Sequence, residues 1–185
     1  MPEESDSRSL SEGCRGAPLW LSLDILHEAG DWSRLGDRDA LIAAAGRALA
    51  ADPRFAAQAP SEACVALSDD ETVRSLNSRF RGKDKPTNVL SFPALEGFGA
   101  TSPQSLGDIV LAQETIEREA LEQGVPAAHH LQHLVVHGLL HLLGFDHETE
   151  AQAQEMEGIE IQILATLGVA NPYGEDALFV QAHDK

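Results

Sequence analysis

The sequence predicts a single α+β domain, in which a small mixed sheet of about four strands packs against helices. Short segments with the apolar pattern of strands are interleaved with segments that have the pattern of helices. The 185 residues are enough for one domain with a substantial core. One helical segment, from Pro126 to about Leu143, is apolar nearly all round. A helix of that kind is buried, so we expect it at the centre of the domain.

The first half of the chain supplies strands and helices in alternation. The expected elements are a strand at 19–25, a helix at 37–51, a strand at 63–67, a helix at 68–80 and a strand at 88–92. Asp37 is expected to cap the first helix. Ser68 and Glu71 have the spacing of a capping box, with Ser68 as the N-cap residue. The second helix should end before Gly82.

The second half is predicted to be mostly helical. The expected elements are a loop at 94–106, a strand at 107–112 and helices at 113–123, 126–143 and 148–167. Pro126 suits the first turn of its helix. Residues 1–16 are polar and acidic and predict a disordered tail. The folded domain is expected to cover 17–172, followed by a flexible C-terminal tail at 173–185.

Composition restricts the partners that the chain can have. The 13 basic residues against 30 acidic residues give a net charge of −17. Such a chain repels nucleic acid at long range, so any RNA would have to bind at a local basic patch. Cys14 and Cys64 do not resemble a disulfide framework, and no apolar run has the length of a membrane span. The polar N-terminus is not a secretory signal, and we expect a cytoplasmic protein without membrane contact.

Three histidines close together predict a metal centre. His137 and His141 are four residues apart, so they lie on one face of the central helix. Gly144 can adopt the left-handed conformation that reverses the chain and returns His147 to the other two. Three imidazoles leave one position of a tetrahedral zinc open, as catalytic sites require, and one Zn²⁺ per chain is expected. The alternatives are hydrogen-bonded core histidines, a structural zinc, or a site that uses His133 with His137.

The same spacing occurs in zinc peptidases, but one position differs. Where those enzymes have a glutamate as general base, this chain has Gly138. Proton transfer is then left to a metal-activated water, to another residue or to the substrate. Asp146 could orient a metal ligand or simply cap the turn.

A basic cluster precedes the strand at 88–92. Five cations lie within 12 positions: Arg74, Arg79, Arg81, Lys83 and Lys85. In an acidic chain such a patch beside a metal is suited to binding a phosphodiester, and arginine can bind a phosphate through two parallel hydrogen bonds. The alternative is a solvated helix end, where cations complement the C-terminal dipole.

These motifs together resemble those of the YbeY family. The stretch from Leu76 to Pro93 is similar to its first signature, the strand Leu106–Ile109 to a second landmark, and the histidine run to a third. The resemblance covers residues 17–172. It implies a single-strand-specific, zinc-dependent endoribonuclease that matures the 3′ end of 16S ribosomal RNA and takes part in ribosome quality control.

The resemblance also implies roles for individual residues. His137, His141 and His147 would be the metal ligands, and Arg81 the functional arginine. Arg79, Lys83 and Lys85 would join Arg81 in contacting substrate phosphate. The partners would be precursor small-subunit ribosomal RNA, the ribosome or its proteins, and an assembly GTPase. Two alternatives stay open: a metallopeptidase, and a non-catalytic ribosome-assembly factor with a structural metal. The nucleophile could be water or the ribose 2′-hydroxyl.

Overall fold

A computed structural model of the chain describes residues 20–94 and 103–174. The predicted N-terminal tail, residues 95–102 of the predicted loop, and residues 175–185 lie outside the described residues. The elements in chain order are β1 Leu21–His27, α1 Arg38–Ala50, β2 Ser61–Ser68, α2 Asp70–Arg81, β3 Val89–Pro93, β4 Gln104–Ala112, α3 Gln113–Gln123, α4 Ala127–Leu142 and α5 Glu150–Thr166. Two short 3₁₀ turns, Trp32–Leu35 and Pro53–Phe55, flank α1.

The four strands form one mixed sheet in the order β1-β2-β4-β3. β2 runs parallel to both β1 and β4, whereas β3 is antiparallel to β4. In this register Val65 pairs with Ile109 and Leu67 pairs with Leu111. Because alternate side chains of a strand point to opposite faces, these four apolar residues lie on one face of the sheet. The predicted α+β class with about four strands is confirmed.

The two faces of the sheet carry cores of different size. The face with Val65 and Ile109 is covered by apolar residues of α1, α4 and α5, which form the larger core. The opposite face carries Ala66 and Val110 and is covered mainly by α2, which contributes Val73. Helix α4 is buried between the sheet and the helices α1 and α5, as its apolar composition predicts.

Helix α4 packs tightly against the sheet at Gly138. A Cβ atom at this position would lie 3.0–3.2 Å from three side-chain atoms of Ile109, which is fully buried. The Ser91 hydroxyl on β3 donates to the carbonyl of Gly138 at 3.5 Å. The glycine that replaces the peptidase glutamate is therefore a packing residue, and a longer side chain would meet the sheet.

The start of α2 differs from the prediction by one residue. Ser68 is the last residue of β2, where it pairs with Ala112 and is fully buried. Asp69 is the N-cap residue instead, and its carboxylate accepts a hydrogen bond from the backbone N–H of Thr72 at 2.9 Å. The predicted capping box at Ser68 and Glu71 is therefore wrong, because Ser68 is still paired in the sheet.

Other boundaries shift for similar reasons. β4 begins at Gln104 rather than at 107, because residues 104 and 105 extend the parallel pairing with β2. Pro126 is the N-cap residue of α4 rather than its first helical residue. Helix α5 begins with a capping box that the sequence analysis missed, formed by Thr149 and Gln152.

Two expectations from composition concern described residues. Cys64 lies half-buried in β2 as a free thiol, and burial, together with nearby Asp108, raises its pKa. Across the described ranges, every helix is too short or too polar to cross a bilayer.

The close packing at Gly138 predicts opposite effects of one substitution at two glycines. Alanine normally stabilises a helix by about 1 kcal/mol relative to glycine. Gly158→Ala in α5 meets open space and should stabilise by about 0.5–1 kcal/mol. Gly138→Ala should instead destabilise by about 1–2 kcal/mol, because the fully buried Ile109 would have to shift within a closely packed core. Urea unfolding of the two variants checks this, and equal stabilisation by both would contradict the packing argument.

Candidate metal centre and adjoining cavities

The end of α4 forms a turn that returns the chain towards the helix. Gly144 has a φ of +90°, which favours glycine. The backbone N–H of Gly144 donates to the carbonyl of His141, and the N–H of Phe145 donates to that of Leu140, each at 3.0 Å. These two bonds define a Schellman motif. The chain reversal expected at Gly144 is present.

The reversal brings three histidines together. One nitrogen from each of His137, His141 and His147 lies within 4.8 Å of the other two. The Nε2 atoms of His137 and His141 are 3.1 Å apart. Two nitrogens bound to one tetrahedral zinc would be separated by about 3.3 Å. The spacing of these donors therefore suits a single small cation.

The opposite ring nitrogens of two of these histidines face oxygen acceptors. His137 Nδ1 lies 2.8 Å from Glu160 Oε1, and His141 Nδ1 lies 3.0 Å from the carbonyl oxygen of Phe145. Neither oxygen can donate, so each Nδ1 carries the proton. In a neutral imidazole this leaves the Nε2 lone pair free for a metal. Burial, followed by the neighbouring His137 and His147, lowers the pKa of His141, which favours its neutral form.

Glu160 is a fully buried carboxylate on α5 that holds this arrangement. Besides His137, it accepts hydrogen bonds from His133 Nε2 at 3.0 Å and from the hydroxyl of Tyr173. Burial alone would raise the pKa of Glu160, but the hydrogen bonds from His133 and His137 outweigh it and lower the pKa to about 2. Burial and the adjacent carboxylate raise the pKa of Tyr173.

The alternative site with His133 and His137 has a third potential ligand in the structure, Glu160. His133, His137 and Glu160 each place a potential ligand atom within 4.8 Å of the others. In this second group the atoms already hydrogen-bond to one another, whereas the Nε2 atoms of the first group lack an oxygen partner among the described residues. The geometry thus favours the first group for a metal and makes the second its support.

Glu160 and Tyr173 were missed by the sequence analysis. Glu160 lies between Ile159 and Ile163 on the buried side of α5, so a charge on an apolar face was the available signal. Tyr173 falls within the predicted C-terminal tail, but its ring packs edge-on against His133 at 5.6 Å between centroids. The remainder of that tail, from residue 175, lies outside the described residues.

Two cavities adjoin at this side of the domain. A cleft of about 510 Å³ is lined by residues of the histidine network, including His137, His147 and Tyr173. A smaller polar cavity of about 260 Å³ contains four cations: Arg81, Lys83, Lys85 and Arg118. Glu119 lines both. We refer to them as the metal cleft and the basic cavity.

The basic cavity is built at the end of α2. Gly82 ends the helix in the left-handed conformation, with a φ of +69°. Asn77 is buried and donates through Nδ2 to the carbonyl of Lys85 at 2.8 Å, which pins the loop after the helix. This loop carries Lys83 and Lys85 to the same side as Arg81.

The predicted basic cluster is divided between two surfaces. Arg74 makes a two-point ion pair with Asp84, at 2.8 and 3.0 Å. Arg79 stacks over Phe80 at 5.2 Å and lines a separate depression with Arg74. The structure therefore does not bring Arg79 to the basic cavity. Arg118 on α3 lines the basic cavity instead. Because Arg118 is far from the predicted cluster in the sequence, the sequence alone could not indicate this.

Of the two roles predicted for Asp146, the structure supports the capping of the turn. Its Oδ1 accepts a hydrogen bond from the backbone N–H of His147 at 2.8 Å. Within the described ranges, the carboxylate that contacts a histidine of the metal group is Glu160 on α5, not Asp146. Asp146 therefore caps the turn, and the orienting carboxylate comes from another helix.

Residues 36–168 match the family model described as Endoribonuclease YbeY. The chain belongs to this family. A protein of Azorhizobium caulinodans with the same description is 49% identical over 153 residues, covering 83% of this chain and 96% of that protein. One from Parvibaculum lavamentivorans is 46% identical over 178 residues, covering 91% of this chain and 94% of that protein. The family resemblance drawn from the sequence is confirmed.

A solved structure shows the same fold. The solution structure of TM1509 from Thermotoga maritima matches with a TM-score of 0.51, at 23% identity. The match covers 89% of this chain and all of that chain. At this identity the likeness concerns the fold alone.

The environment of Glu160 predicts a pH-dependent contribution to stability. Its pKa in the folded chain, about 2, is below its ordinary value of 4.5, so its contribution is complete above pH 4.5 and declines as the pH falls towards 2. In metal-free protein, Glu160→Gln should cost about 3 kcal/mol at pH 7 and about 2 kcal/mol at pH 3.5. Urea unfolding at both pH values measures the difference.

Glu155→Gln, at an exposed position of the same helix, is the matched control. It should change the free energy of unfolding by less than about 0.5 kcal/mol at either pH. A cost for Glu160→Gln that grows on acidification would contradict the assignment of Glu160 as a stabilising buried anion.

Proposed function

We propose that the chain is a single-strand-specific endoribonuclease whose single Zn²⁺ is held by His137, His141 and His147. The observation that carries this proposal is the convergence of three imidazole nitrogens at the Schellman turn, beside a cleft. Neutral nitrogen donors suit zinc, and three of them leave an open position for substrate. The relatives described as Endoribonuclease YbeY support RNA as the substrate.

A zinc ion in this site would supply Lewis-acid stabilisation of the negative charge on a phosphoryl oxygen. The residues of the chain have the task of orientation. Glu160 and the Phe145 carbonyl hold the rings of His137 and His141 so that their Nε2 atoms face each other. This fixed geometry avoids reorganisation when the substrate binds.

Arg81 is proposed to bind the phosphate and stabilise its charge during cleavage. It is the last residue of α2 and lines the basic cavity with Lys83, Lys85 and Arg118. In the described part of the chain, no carboxylate forms an ion pair with Arg81 or Lys83. A guanidinium without such a partner can form two parallel hydrogen bonds to a phosphate.

The biological role that we propose follows the family expectation. It comprises maturation of the 3′ end of 16S ribosomal RNA and ribosome quality control in the cytoplasm, with ribosomal proteins or an assembly GTPase as partners. The position of Gly138 argues against the metallopeptidase alternative. A Cβ atom there would lie 3.0–3.2 Å from side-chain atoms of Ile109 on the sheet, so a glutamate in that position would require Ile109 to shift.

The zinc content of histidine variants distinguishes the two candidate groups. Wild-type protein should hold one zinc per chain, and His147→Ala should weaken zinc binding by more than about 100-fold because a ligand is lost. His133→Ala should keep one zinc, since His133 belongs only to the supporting group. Elemental analysis and competition with a chromogenic chelator measure this. Loss of zinc from His133→Ala together with retention by His147→Ala would reverse the assignment.

Cleavage of precursor small-subunit ribosomal RNA tests the nuclease activity. Arg81→Ala should lower kcat/KM by about 10²–10³-fold, because a charged donor to the phosphate is removed. His141→Ala should reduce cleavage to the level of chelator-treated wild type. The control is Arg79→Ala, which removes a cation from the same helix but outside the basic cavity and should change kcat/KM by less than about threefold.

Equal cleavage by wild type, Arg81→Ala and His141→Ala would show that the activity comes from a contaminating nuclease. If no variant cleaves RNA with zinc restored and all remain folded, the non-catalytic assembly factor becomes the better description.

A further inference from the structure

Glu119 belongs neither to the group of candidate metal ligands nor to the cations of the basic cavity. It is the one described residue that lines both the metal cleft and the basic cavity. It lies on α3, which contributes Arg118 to the basic cavity and Glu122 to the metal cleft. A carboxylate thus lies where the metal cleft meets the basic cavity.

The Glu119 carboxylate is held in one orientation. Asn88 Nδ2 donates to its Oε2 at 2.9 Å, and His130 Nε2 contacts the same oxygen at 2.8 Å. Among described residues, Oε1 receives no hydrogen bond, and about a quarter of the side chain is exposed, at 27%. Burial alone would raise the pKa of Glu119, but the hydrogen bonds from His130 and Asn88 outweigh it and hold the pKa below its usual value. Glu119 therefore offers an ionised acceptor to the cavities.

The chemistry of a nucleic-acid strand restricts what can lie against Glu119. A carboxylate repels phosphate and can only accept hydrogen bonds. Between two consecutive phosphates of RNA lies a ribose, whose 2′-hydroxyl can donate to such an acceptor. The sugar–phosphate backbone of DNA has no equivalent donor within the chain. A strand that passes from the basic cavity to the metal cleft would therefore be favoured when a sugar, not a phosphate, lies against Glu119.

We propose that Glu119 accepts a hydrogen bond from a ribose 2′-hydroxyl and thereby makes the site select RNA over DNA. This inference rests on the proposed function, since it places an RNA strand across the two cavities. It adds a specificity-determining residue that contacts the sugar, distinct from the cations that contact phosphate and from the metal ligands.

The test compares equilibrium binding of one single-stranded sequence as RNA and as DNA to zinc-loaded protein. The variant is Glu119→Gln, which keeps the size of the side chain but loses the charge-assisted acceptor. The matched control is Glu122→Gln, which removes the same charge from the same helix and the same cleft, but outside the basic cavity. Gel analysis after each titration confirms that the RNA is intact.

Both variants should bind DNA equally well or slightly more tightly than wild type, because each loses one negative charge. The ratio of RNA affinity to DNA affinity should fall about fivefold in Glu119→Gln, since hydrogen bonds to charged acceptors are roughly twice as strong as neutral ones. The ratio should stay at the wild-type value in Glu122→Gln. Equal ratios in the two variants would overturn the proposal.

A scan with a single deoxynucleotide moved along the RNA locates the contact. Wild type should lose about fivefold in affinity at one position, and Glu119→Gln should lose nothing further there. If Glu119→Gln does not fold, the wild-type scan alone decides: no position-specific loss, or DNA bound as tightly as RNA, overturns the proposal.

Binding and cleavage can fail separately. RNA selectivity that depends on Glu119, in a protein that cleaves nothing, would support this inference and contradict the proposed nuclease activity. Cleavage with an unchanged affinity ratio would overturn this inference alone.

Discussion

The arrangement of the site depends on close packing of α4 against the sheet at Gly138, where even a Cβ atom would lie 3.0–3.2 Å from Ile109. The absence of a side chain at Gly138 allows the helix backbone to lie close to Ile109 on the sheet. His137 and His141 lie on either side of this contact along the helix, so the same packing decides where their rings point. The site is therefore carried by a helix that is buried between the sheet and the helices α1 and α5.

Glu160 makes α5 a second helix that positions the histidine site. A buried anion is costly unless hydrogen bonds compensate it. Here His133, His137 and Tyr173 supply those bonds from α4 and from the segment after α5. Packing of α5 on α4 and orientation of the His137 ring thus depend on one carboxylate, which would couple stability to metal binding in the proposed function.

The parts that the sequence could predict are local. His137, His141, Gly144 and His147 follow from helix periodicity and turn conformation, and neither depends on the rest of the fold. The supporting carboxylate could not be placed, because Glu160 reaches His137 only through the packing of two helices. The shift of the α2 cap from Ser68 has a similar cause, since pairing in the sheet decides where β2 ends.

The net charge of the chain is negative, whereas the basic cavity is rich in positive charge. The chain carries −17 overall, yet four cations converge on the basic cavity, and one of them, Arg118, arrives from a separate helix. A strand of RNA is repelled at a distance and gains attraction only when a phosphate enters that cavity. Long-range repulsion makes short-range contacts decisive, so a carboxylate such as Glu119 at the boundary of the two cavities could act as a selective element. In the proposed function, the net negative charge would therefore leave the choice of strand to the contacts made within the site.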